Sequence, residues 1–211
     1  MKRNLVSRQS HINPTLWALT LLAVDGKDVF STAVIDCTMP VGGGAQGMLD
    51  AIDRICDEAS SAVQGDLGVS GVQGVILSDR LAGPDRMPIP SLIAVGAVHQ
   101  HLLSTKQRPK GAIFAECGDA REVHDFATLF GFGCDGVCPY VAYEALCKMN
   151  EEGLVEAKAK QTYSDHDIIQ AYRNSASKGL LKVMSKMGIS TLQSYKGRSG
   201  LRSCWAQRGN R

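Results

Sequence analysis

The sequence has no unbroken apolar run of about 18 residues, the length a membrane-spanning helix needs, so no membrane span is expected. Acids are missing from its first 24 residues and from its last 16. Those ends carry Lys2, Arg3 and Arg8, and Lys196, Arg198, Arg202, Arg208 and Arg211, which leaves 15 bases against 21 acids between them. The net charge of +2 therefore hides an acidic body. Nucleic-acid binding through that body is not expected, because displacing counterions from phosphates takes a positive surface. Closely paired cysteines are also lacking. The seven are Cys37, Cys56, Cys117, Cys134, Cys138, Cys147 and Cys204, an odd number, most of them in apolar segments. That usage predicts buried thiols in a reducing, cytoplasmic setting rather than a disulfide framework. The start MKRN and the apolar Leu16–Val24 lack a small-residue cleavage site and run into Asp25, so a secretion leader is not expected. Aromatics make up only 6% of the chain, and its 44% apolar content fits a soluble α/β protein with one core, or one and part of another.

What is present is an alternation of strand and helix signals from about residue 33. Ala33–Thr38 is β-like and Gly42 to Gly44 form a loop. Residues 45–63 place Met48, Ile52, Ile55, Cys56, Ala59 and Val63 on one helical face, with Asp50, Asp53, Arg54, Asp57 and Glu58 elsewhere. Val72–Leu77 is short and almost wholly apolar, as strands buried on both faces are. After Pro88 and Pro90, Ser91–Leu103 reads as a buried helix, Gly111–Glu116 as a strand and Arg121–Phe130 as a helix. Gly133–Val137 follows as a strand, then Pro139–Asn150 as a helix with Pro139 suited to its first turn. Glu151–Gln161 is polar; Ser164 and Asp167 form a capping box for a long helix through Ile168, Tyr172, Leu180 and Met184. Gly188–Leu192 reads as a last strand. Alternation with short loops predicts an α/β fold of parallel βα repeats with right-handed crossovers. It matches about half of a (β/α)8 barrel or most of an open sheet, and both stay open.

Four groups of residues could carry chemistry. Gly42, Gly44 and Gly47 fit a GxGxxG pattern that lets a backbone approach a pyrophosphate. Met39–Val41 separates them from the strand, however, and the next strand's acid, Asp79, lies 32 residues beyond Gly47. A plain βα loop is the simpler reading. Cys134 and Cys138, with Cys147 and His124 nearby, could hold a metal. They bracket a predicted strand, which would put the two side chains about 13 Å apart, so unligated thiols are the simpler reading. His99 and His101 sit two apart on a helix and face different ways, and His124 reads as a hydrogen-bonded structural histidine. The carboxyl ends of the strands, where α/β proteins keep their sites, supply Ser78, Asp79, Arg80, Glu116, Asp119, Arg121 and Tyr140. Asp79, Glu116 and Arg121 could meet there, either as a site or as a network that ties loops together.

In order, several segments resemble the large subunit of glutamate synthase. They are Val34–Asp36, Ala51–Ala59 (AIDRICDEA), Leu77–Arg80 (LSDR), Pro90–Leu102 (PSLIAVGAVHQHL), Ala120–Phe126 (AREVHDF), Gly131–Gly133, Cys138–Tyr140 and Gly179 through Gly197. The AREVH form is more similar to the pyridine-nucleotide-dependent enzymes than to the ferredoxin-dependent ones. The resemblance implies a multidomain flavoenzyme of ammonia assimilation. In such an enzyme a cysteine amidotransferase domain releases ammonia from glutamine. A central α/β domain packs beside the ammonia path, and an FMN-binding (β/α)8 domain with a 3Fe–4S cluster makes glutamate from 2-oxoglutarate.

On that resemblance, residues 30–163 correspond to the later part of the central domain. Residues 164–197 correspond to the helix and first strand of the FMN-binding, TIM-type barrel; residues 1–29 and the basic 198–211 are unmatched. The chain is then expected to be a fragment without turnover. Lys2 follows Met1 where the amidotransferase has its nucleophilic cysteine, and no cluster motif follows Gly197. The tail from Arg198 reads as sequence past a splice or frame boundary. Lys186, Met187 and Gly188 are the candidates for contact with FMN or 2-oxoglutarate in the parent. FMN and 3Fe–4S belong to the parent, with no cofactor expected on this chain. Its partners would be the remaining domains of the large subunit and an NAD(P)H-oxidising subunit or domain. A small dinucleotide-binding module and a non-catalytic scaffold are the alternatives.

Overall fold

A computed structural model describes residues 31–65, 71–155 and 163–197. Its centre is a parallel sheet of four strands in the order β1 (Thr32–Asp36), β3 (Gly74–Ser78), β5 (Ala112–Glu116), β6 (Gly136–Cys138). The register aligns Asp36, Ser78, Glu116 and Cys138 as one row at the carboxyl ends. Helices α1 (Gly44–Gln64), α2 (Ser91–Ser104) and α3 (Val123–Gly131) connect neighbouring strands. Right-handed crossovers between adjacent parallel strands put all three on one face. α1 packs on α2, and α2 on α3. α4 (Tyr140–Glu151) follows β6, and α5 (Asp165–Lys186) packs on α3 and α4.

The core lies between this helical layer and the odd-numbered strand residues Ile35, Val75, Leu77, Ile113 and Ala115. From the helices come Ile55 and Ala59 of α1, Val95, Val98 and Leu102 of α2, and Phe126 and Leu129 of α3. These positions recur every three or four residues, so each helix presents one apolar stripe. Burying each large aliphatic side chain contributes about 1.5–3 kcal/mol. The even-numbered residues form the other face, where Val34, Ile76, Phe114 and Gly136 share one row. There the ring of Phe114 lies over Gly74 and Gly136; a Cβ at either position would come within 2.9 Å of it. Val34 in that row is 62% exposed.

Two features depart from the expectations. First, Thr38–Pro40 is not the end of β1 but a separate strand, β2, paired antiparallel with β4 (Arg86–Pro88). This ribbon sits between β1 and the Gly42–Gly47 segment. Second, Gly188–Leu192 is not a strand. α5 ends in a Schellman motif: Gly188 (φ 68°) donates to the Ser185 carbonyl at 3.0 Å and Ile189 to the Met184 carbonyl at 2.9 Å. The chain then turns into a short helix, α6 (Leu192–Tyr195), whose first turn is capped by the Thr191 hydroxyl. Ile189 and Thr191 are β-formers, but a strand needs a neighbour. The segment is drawn instead onto α3, where the Tyr195 hydroxyl donates to the Ala127 carbonyl at 3.0 Å and the Gly197 amide to the Gly131 carbonyl at 2.9 Å.

Candidate functional site at the carboxyl ends of the sheet

The terminal row of the sheet carries polar side chains that alternation would otherwise send to solvent. The Ser78 hydroxyl donates to Glu116 Oε2 at 2.6 Å, and Arg80 Nε donates to Glu116 Oε1 at 2.7 Å. The same guanidinium lies 4.0 Å above the ring centre of Tyr140 and 3.6 Å from Glu144. One strand over, Asp36 binds Arg86 and accepts from the Thr38 hydroxyl at 2.7 Å and the Thr38 amide at 3.0 Å. Arg54 of α1 donates to the carbonyls of Asp36 and Thr38 at 2.9 and 3.1 Å. Arg54, Arg80 and Arg86 thus already have carboxylate or carbonyl partners, and the pairs fasten the β2–β4 ribbon and the β3 loop over the strand ends.

Asp79 points to the helical side of the sheet and is 7% exposed. Its Oδ2 accepts from the Gly118 amide at 2.9 Å, and the Tyr140 hydroxyl also hydrogen-bonds the carboxylate. Burial raises its pKa above the usual carboxylate range, against the lowering effect of those two donors. Of the three residues expected to meet, Asp79 and Glu116 do lie together, but Arg121 does not join them. Its side chain is exposed, while its amide donates to Asp125 and its carbonyl accepts from the Tyr172 hydroxyl. The cation in the cluster is Arg80. Asp125 is the reciprocal cap of α3, paired with Glu122, and His124 beside it is exposed.

A second polar cluster occupies the opposite, amino-terminal end of the sheet. Arg108 donates to His99 Nδ1 at 3.0 Å, to the carbonyls of Gly111 and Gly133 at 2.7 and 2.9 Å, and to Asp135 at 2.6 Å. Asp135 also binds Lys196 and accepts from the Ile113 amide at 2.9 Å. Burial, reinforced by Arg108, pushes the His99 pKa down to about 4, so the ring is neutral. Burial alone would raise Asp135; its bonds to Lys196, the Ile113 amide and Arg108 outweigh that and hold it below the usual range. Sequence reading singled out His99 but gave no role to Arg108, Asp135 or Lys196, which are 9 to 97 positions away along the chain. His101 is only half-buried on another side of α2.

The glutamate synthase central domain profile matches residues 8–202. Curated relatives extend the match. The chain is 45% identical over 170 residues to the NADH glutamate synthase of Saccharomyces cerevisiae, and 44% over 168 residues to that of Schizosaccharomyces pombe. In both cases 80% of this chain and 8% of the relative are covered. The ferredoxin-dependent glutamate synthase of rice is 39% identical over 171 residues, covering 78% of this chain and 10% of the relative. The chain belongs to the glutamate synthase central domain family. It spans about a tenth or less of the length of these relatives.

The described residues do not fit the FMN and 3Fe–4S groups that the resemblance implies for the parent enzyme. A flavin phosphate at the strand ends would meet Asp36, Asp79, Glu116 and Asp119 with their arginines already committed. A cluster needs thiolates, whereas the Cys134 thiol is fully buried, donates to the Gly136 carbonyl at 3.0 Å and is pushed up to about 12 by burial. Among the described residues no three His, Cys, Asp or Glu side chains come together as metal ligands. Gly42 and Gly44 of the GxGxxG segment are exposed, at φ 93° and 59°, and Gly47 is half-buried. No described helix is long and apolar enough to cross a membrane. Lys186, Met187 and Gly188 lie together at the end of α5, with Met187 40% exposed and Gly188 open on its Cβ side.

Proposed function

We propose that this chain acts as the structural central domain of a glutamate synthase, a packing block without catalysis of its own. The observation that carries the reading is the state of its strand ends. In an open α/β sheet a ligand enters at the carboxyl ends, and here that entrance is filled by Glu116 with Arg80 and Tyr140, and by Asp36 with Arg86. The parent enzyme would make glutamate from 2-oxoglutarate and glutamine-derived ammonia, with FMN and a 3Fe–4S cluster in other domains. The higher identity to the yeast NADH enzymes than to the rice ferredoxin enzyme favours a pyridine nucleotide as the electron source. An NAD(P)H-oxidising subunit or domain is then the partner, and the cytoplasm the location.

α5 and α6 would form the hand-over from this domain to the flavin domain. Lys186, Met187 and Gly188, exposed at the end of the longest described helix, remain the positions from which this chain would reach FMN or 2-oxoglutarate in the parent. The test is purified chain incubated with glutamine, 2-oxoglutarate, NADH or NADPH, and FMN. The expected result is no glutamate formation and no stoichiometric retention of flavin through gel filtration. Tight one-to-one FMN binding would sink the structural-domain reading.

A further inference from the structure

The strand-end network satisfies all of its buried side-chain atoms but one. Among the described residues Asp79 Oδ1 is the buried polar side-chain atom without a hydrogen-bond partner. Leaving a buried carboxylate oxygen unpaired forfeits its hydration without compensation, and native proteins meet such a deficit with a ligand or an ordered water. Asp79 is also a wall of a cavity of about 10 Å³ between the ends of β3 and β5 and the first turn of α2. Leu77, Ile89, Ala94, Val95 and Ala115 make that cavity largely apolar. Ser91 and Glu116 supply its other oxygen-bearing side chains, and the thiols of Cys37 and Cys117 complete the lining.

We propose that this cavity is a binding site for one firmly held water, donated to Asp79 Oδ1. The volume is about the smallest that accepts a water. A water there also finds the second partner it needs. Ser91 Oγ spends its hydrogen on Asp119 Oδ1 at 2.7 Å and keeps a lone pair. Glu116 accepts from Ser78 and Arg80, one donor to each oxygen. A bare cation is disfavoured by the same list, because a hard cation takes six or more oxygens and only one carboxylate oxygen here is uncommitted. The water would join Asp79, at the end of β3, to the start of α2.

An atomic-resolution crystal structure of the full chain tests this, together with an NMR measurement of magnetisation transfer from the Ala94 and Ala115 methyl groups to water. The expected results are one ordered water within hydrogen-bond distance of Asp79 Oδ1 and a cross-peak from both methyls to the water resonance. Loss of that cross-peak in Ala94→Val, which fills the cavity, is expected as well; should that variant not fold, the wild-type measurements still decide. An empty cavity, or Oδ1 taking its hydrogen bond directly from a protein donor, would overturn the proposal. So would an anomalous peak at the site in crystals soaked in thallium acetate, which would mark a cation.

Discussion

His99 is the residue whose chemistry most directly reaches stability. Its ring packs against Gly133, which has φ 109° and where a Cβ would lie 2.3 Å from Nδ1. Only glycine lets the chain pass the ring at that point. The ring accepts from Arg108, and Asp135 and Lys196 complete its charged surroundings. With the folded pKa near 4 against 6.5 in the unfolded chain, the unfolded state binds more protons between those values. Stability is therefore full above about pH 6.5 and falls as the pH drops toward 4, by at most about 3 kcal/mol for the whole shift. Asp135, held low, adds a further loss only below its unfolded value of 3.8. Urea unfolding between pH 7 and 4 checks this. His99→Gln, which cannot titrate, should flatten the slope in that window; an unchanged slope in the variant would remove His99 from the account.

At the scale of elements, the long helix α5 depends on its first turn. Ser164 Oγ accepts from the Asp167 amide at 3.2 Å, and the Asp167 carboxylate accepts back from the Ser164 amide and hydroxyl at 3.2 and 2.6 Å. Ser164→Ala removes the cap and should cost about 1 kcal/mol, read as a lower urea midpoint with unchanged slope; no shift would mean that packing against α3 and α4 alone holds the helix. This cap was legible in the sequence because it is local: donor and acceptor lie three residues apart. The four parallel strands and five longer helices among the described residues were legible for the same reason, since each is a continuous apolar stripe or run. Their ends were placed to within about three residues. The β2–β4 ribbon was not legible. Its pairing joins Thr38 to Pro88 across the whole of α1 and β3, and two prolines argue against a strand when read locally. Gly188–Leu192 was misread as a strand because Ile189 and Thr191 carry a β signal, whereas no described strand pairs with them and the segment docks on α3 instead. In the candidate site the carboxylates were found, but the choice of Arg80 over Arg121 depends on where the β3 loop turns, which no spacing encodes.

At the scale of the molecule, the sheet has helices on one face and, among the described residues, strands β1 and β6 as its two edges. Among the described residues β1 has a hydrogen-bonded neighbour on the β3 side alone, and its central residue Val34 is 62% exposed in the row of Ile76 and Phe114. An unpaired strand next to an apolar row is a template for further pairing. The isolated chain should therefore self-associate as its concentration rises, with sedimentation velocity showing species beyond the monomer. Val34→Lys should shift that distribution toward monomer without lowering the unfolding free energy by more than about 0.5 kcal/mol, since an exposed site carries little packing. The charge acts at the edge itself, as natural edge strands use lysine to block pairing. A chain that stays monomeric at high concentration and unfolds in one cooperative step would show that β1 is already covered within the chain, and the picture of an incomplete sheet would fall with it.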